Sequence, residues 1–68
     1  MKIIGKENNL LNVQMSEREF NLIRELNLAV LISCSVNEIP TLTGWTKEEL
    51  LGFVDMLCEL AEKNDINL

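Results

Sequence analysis

The sequence has no histidine, a single proline and a single tryptophan, and only two cysteines, Cys34 and Cys58, which form no C-x-x-C. Each scarcity closes a route. Without imidazole the commonest activating base for a cysteine or serine nucleophile is missing, and so is a main class of zinc ligand. Ser33 and Ser35 lie in no G-x-S-x-G elbow, and the chain holds neither a P-loop nor a G-x-G-x-x-G. No catalytic residue, metal or cofactor is therefore expected. Both cysteines sit inside apolar patterns, where a free thiol behaves as a small hydrophobe in a reducing compartment. "MKIIGKENN" has a charge at each end of a two-isoleucine patch and not the apolar run of a secretory leader, so a cytoplasmic setting is expected. Long apolar runs are missing too. The longest, Leu28–Ile32, has five residues, against the ~20 of a transmembrane helix.

What the chain does have is apolar content out of proportion to its size. Sixty-eight residues make one small domain, 1–68, and 47% of them are hydrophobic. A chain this short buries only ~60% of the surface its unfolded form exposes, and such domains usually need disulfides, a metal or a partner subunit. With the first two routes closed, a homo-oligomer is the expectation.

Positive charge is short where it would matter for nucleic acid. Residues 1–34 balance Lys2, Lys6, Arg18 and Arg24 against Glu7, Glu17, Glu19 and Glu25. Residues 35–68 set Lys47 and Lys63 against Glu38, Glu48, Glu49, Asp55, Glu59, Glu62 and Asp65, so the whole net charge of −5 lies in the second half. Direct binding to nucleic-acid phosphates or to an anionic membrane is not expected.

The order of elements predicts an α+β fold, with an N-terminal two-stranded β-hairpin packed on two α-helices. Asn8-Asn9 separates "KIIGKE" from "LLNVQM", and asparagine tolerates the positive φ of a tight turn. A two-residue turn there sets Ile4 opposite Val13 and Lys6 opposite Leu11. Ile4, Leu11, Val13 and Met15 then share an apolar face that needs a helix beneath it. "MSEREF" opens the first helix: Ser16 and Glu19 make a capping box, Met15 and Phe20 a hydrophobic staple. "WTKEEL" repeats the device with Thr46 and Glu49, Trp45 and Leu50. From Lys47 to about Lys63, Leu50, Phe53, Val54, Leu57, Leu60 and Ala61 keep amphipathic spacing, with Asn64 as the stop and "DINL" expected to fray.

The middle of the chain supports two readings. Phe20, Ile23, Val30 and Cys34 fit a helix from Glu17 to about Ser35. Val30, Ile32, Cys34 and Val36 also alternate as a third strand over 29–36 would. Asn37–Gly44, with its proline, reads as a loop. On either reading the run from Leu26 to Ile32 has more apolar faces than this chain can cover, and Leu28, Leu31 and Ile32 are expected near an oligomer interface.

The most site-like feature is an acidic stripe. Glu48, Asp55, Glu59 and Glu62 follow i, i+7, i+11, i+14 on one helix face, with Gly52 between them. One helix face cannot wrap a cation in enough oxygens. It can present a field to a basic protein surface, with Trp45 as an anchor. A second class of function is a small-molecule binder, with a pocket for a signalling nucleotide between subunits and Asn8, Asn9, Arg18, Arg24, Lys47 and Trp45 as its polar and stacking candidates.

The opening "MKIIG" hairpin, the capped helix of "MSEREF" and the compact second half resemble the short accessory proteins of bacteriophages and mobile elements. Several of those block bacterial defence systems, as anti-CRISPR proteins do. The resemblance covers Met1 to Leu26 and transfers no functional residue. It implies a non-enzymatic inhibitor acting in a host cytoplasm, and the acidic second half then points to a basic surface of a host protein as its target.

Overall fold

Three short-range hydrogen-bond signatures lay out the helices. In the computed structural model, which describes residues 1–66, β1 (Lys2–Glu7) and β2 (Leu10–Gln14) form an antiparallel hairpin. They are followed by α1 (Glu17–Ser33), α2 (Glu38–Thr43) and α3 (Lys47–Lys63). The fold is α+β. At the start of α1 the Glu19 amide donates to Ser16 Oγ (3.1 Å) and the Ser16 amide to Glu19 Oε1 (3.0 Å). At α3 the Glu49 amide donates to Thr46 Oγ1 (3.2 Å) and the Thr46 amide to Glu49 Oε1 (2.9 Å).

The third signature corrects the reading of Asn37–Gly44 as a loop. Ser35 and Glu38 form the same reciprocal pair, at 2.9 and 3.2 Å, around the turn that leads into α2, whose N-cap residue is Asn37. Pro40 falls in the first turn, where its missing N–H costs no helical bond. Gly44 ends the helix in the left-handed region (φ 75°), its amide bonded to the Pro40 carbonyl at 2.8 Å. The middle of the chain is helix to Ser33; Cys34 turns extended as the C-cap, so there is no third strand at 29–36.

The hairpin turns at Asn8-Asn9, with Asn8 at φ 55°, and Lys6 pairs with Leu11 as expected. Beyond them the expected register is corrected. Ile3, not Ile4, lies opposite Val13, because Ile4 is the extra residue of a β-bulge ahead of Gly5. Glycine permits that bend.

α3 keeps Leu50, Val54, Leu57 and Ala61 buried, the 4-3-4 rhythm of one helix side. Of the "DINL" segment, expected to fray, Asp65 and Ile66 are described. Asp65 takes a left-handed φ of 54°, and the Ile66 amide reaches back to the Ala61 carbonyl at 2.9 Å, a Schellman closure. Asn67 and Leu68 lie outside the described residues.

Among the described residues the buried apolar side chains are Ile39 and the four on α3. Ile39, from the short α2, is completely covered. α1 lies against α3 but keeps no residue fully buried. The hairpin sits at the N-terminal end of α1, where the Met1 ammonium meets Glu19 Oε2 at 2.7 Å. The result is a slab of 35 × 31 × 17 Å with a radius of gyration of 13.4 Å, where about 11 Å is usual for 68 residues.

Candidate interaction surface

A helix buries one side and displays the other, and on α3 the displayed side is the acidic one. Glu48, Asp55, Glu59 and Glu62 are all exposed, within a narrow sector roughly opposite Leu50, Val54, Leu57 and Ala61. At 1.5 Å per residue the stripe runs about 21 Å. Lys63 Nζ touches Glu59 at 3.1 Å, but both ends of that pair are largely in solvent, so it neutralises the stripe weakly. Gly52 lies in the same sector, and nothing stands within 4 Å of where its Cβ would be. Leu51 and Met56 flank the sector, each with over two-fifths of its surface free.

Trp45 occupies the N-terminal end of the same helix. Its ring meets Phe53 edge-on, with centroids 5.8 Å apart at 64°. Thr43 steadies it: the hydroxyl donates to the Ile39 carbonyl at 2.7 Å and accepts from the Trp45 amide at 3.0 Å. Trp45, Phe53, Leu50, Thr43 and Asn27 line an apolar depression of 210 Å³ between α1 and α3. The tryptophan still has 46% of its surface exposed, so one edge packs and the rest is free for contact. Asn27, Thr43 and Phe53 belong to this feature and were not among the sequence candidates. Phe53 was legible as part of the α3 stripe; Asn27 comes from another helix and left no local signal.

Of the expected interface residues, Ile32 points outward, while Leu28 and Leu31 are half-buried on the side of α1 that also carries Phe20 and Ile23. The large apolar residues exposed on α1 are Leu22, Leu26 and Ile32. The candidates for a small-ligand site are not brought together. Asn8 and Asn9 are at the hairpin tip, and Lys47 lines none of the three main depressions. The largest of these, 710 Å³ along the first turns of α1, takes only Arg18 from that set, and the Trp45 depression takes only Trp45.

No known protein family, curated protein or solved structure matches this chain. The surface must be read from its own chemistry. Cys34 and Cys58 are half-buried free thiols. Among the described residues no group of three His, Cys, Asp or Glu side chains is placed to hold a metal ion, and no helix is long and apolar enough to cross a membrane. The carboxylate most perturbed from its ordinary state, Glu19, serves structure. Hydrogen bonding to the N-terminal ammonium, then to the Ser16 amide, lowers its pKa to about 2. Glu38 is lowered in the same sense by the Ser35 amide.

Proposed function

We propose that this chain is a non-enzymatic, oligomeric interaction protein that binds a basic surface of another protein through the outer face of α3. One observation carries the reading: the half of the chain that holds all the net charge folds so that Glu48, Asp55, Glu59 and Glu62 stand on one exposed helix face. Four carboxylates along about 21 Å give a directional field, which speeds encounter and selects a complementary partner. Trp45, half free at the end of the same helix, supplies the apolar anchor such a contact needs. The likeness of Met1–Leu26 to phage accessory proteins supports a particular use. The target is then a bacterial defence protein in the host cytoplasm, and the acidic face occupies the basic channel that would hold nucleic acid.

The test is capture from a bacterial lysate by the wild type and by a variant carrying Glu48→Gln, Asp55→Asn, Glu59→Gln and Glu62→Gln. All four side chains are exposed, so the variant keeps its fold. The expected result is a partner held by the wild type at low salt, released as screening shortens the reach of the charges, and not held by the variant. Equal capture by both chains, or capture indifferent to salt, refutes the electrostatic reading.

A further inference from the structure

α1 has two apolar sides, and α3 covers one of them. Phe20, Ile23, Leu28, Val30 and Leu31 are half-buried on the covered side. Leu22, Leu26 and Ala29 are exposed on the other, with Ile32 beside them. Steps of four and then three residues are the spacing of a helix–helix seam. Leu22 and Leu26 are each 57% exposed and Ile32 is 83% exposed.

We infer that a second copy of this chain covers that side, with the two α1 helices antiparallel about a two-fold axis near Arg24. Area is the first argument. One chain exposes 5391 Å², whereas a folded monomer of this mass exposes about 4,400 Å². The surplus of about 1,000 Å² is what each partner gives to a standard interface, roughly 800 Å². Charge is the second. Residues 1–34 are net neutral, and the exposed side carries one arginine and one glutamate, Arg18 and Glu25, so two such sides bring no net charge against one another. Two α3 outer faces would set carboxylates against carboxylates. That leaves the α1 side as the self-complementary one, which a two-fold interface requires.

Geometry is the third argument. An axis near Arg24 sets Leu22 of each copy against Leu26 of the other. It also carries Ile32, near the end of α1, to the root of the second copy's hairpin, where Met15 is part-exposed. There a hairpin whose Ile3, Ile4 and Leu11 are all more than half exposed gains the helical cover that two strands need. The covered sides of the two α1 helices then face apart, so each α3 lies on the outside. The pair displays two acidic faces pointing away from one another, and a bivalent binder results.

The inference rests on the oligomeric part of the proposed function and not on its acidic target. Light scattering at tens of micromolar should give the wild type twice the 7.8 kDa of one chain. Leu26→Glu and Ile32→Glu should each halve that mass while the helical circular dichroism is kept. Leu51→Glu, on the flank of the α3 outer face, should leave it doubled. If Leu26→Glu loses its helical signal, Ile32→Glu decides, because that side chain is the more exposed. A wild type of single-chain mass overturns the inference, as does a doubled mass in both α1 variants. A single-chain wild type that still captures a partner through α3 overturns this inference and the oligomeric part of the proposed function, and leaves the acidic contact standing.

Discussion

Ile39 and Ile32 are the same residue type at opposite extremes of burial, 0% and 83% exposed. Truncating each to alanine therefore separates what the core supplies from what the surface supplies. Ile39→Ala removes three methyl or methylene carbons from a fully enclosed site. Substitutions of this kind cost about 2–5 kcal/mol, transfer and cavity terms together. Alanine's better helix propensity returns only a few tenths of that. A domain of this size holds about 3–10 kcal/mol in total, and one with five buried apolar residues among those described stands toward the lower end. Loss of ~3 kcal/mol is then most of the stability, and at a urea slope of about 1 kcal/mol/M the midpoint falls by ~3 M. Ile32→Ala should change single-chain stability by under ~0.5 kcal/mol. The assay is urea unfolding followed by circular dichroism, at one protein concentration and in the Leu26→Glu background, so that assembly does not enter. Midpoints for the two variants within about 0.5 M of each other would refute the assignment of α2 as the plug of the core.

Three further outcomes are expected. Gly52→Ala should stabilise the fold by about 1 kcal/mol, since the added methyl meets nothing within 4 Å and removes backbone freedom in mid-helix; a destabilised variant in thermal melts would show an unseen neighbour. Gly44→Ala should cost about 1–2 kcal/mol because φ is +75° there, and an unchanged melting temperature would contradict the left-handed cap. The Glu19 carboxyl, held at about 2 in the fold against an ordinary 4.5, favours the folded state at pH above 4.5 and loses that advantage as pH falls toward 2. The melting-temperature gap between wild type and Glu19→Gln should accordingly be present at pH 7 and close near pH 2; a gap that widens on acidification would refute the ion pair with Met1.

Much of the layout could be read from local chemistry. The boxes at Ser16 and Thr46 fixed two helix starts, and the amphipathic spacing from Leu50 to Ala61 fixed the buried side of α3 and therefore the exposed acidic side. The same spacing stands at Ser35 and Glu38, but Pro40 marks the segment as a loop when read along the chain, although a proline in a first turn is no obstacle. The bulge at Ile4 left only Gly5 as a sign, and one extra residue was enough to exchange Ile3 for Ile4 opposite Val13. The least legible feature was the facing of α1. A helix apolar all round does not declare which side its neighbour takes, so Leu31 and Leu22 could be told apart only once α3 was in place. For the same reason the Trp45 depression, which joins Asn27 to Phe53 across two helices, was not readable along the chain.

The bare side of α1 decides whether two chains pair, and small-angle X-ray scattering of the wild type tests that most directly. Forward scattering reports mass and the low-angle slope reports size, in one solution and without substitution. The prediction is a mass of two chains, with a radius of gyration clearly above the 13.4 Å of one. A mass of one chain at every concentration, with a radius close to 13.4 Å, would contradict it.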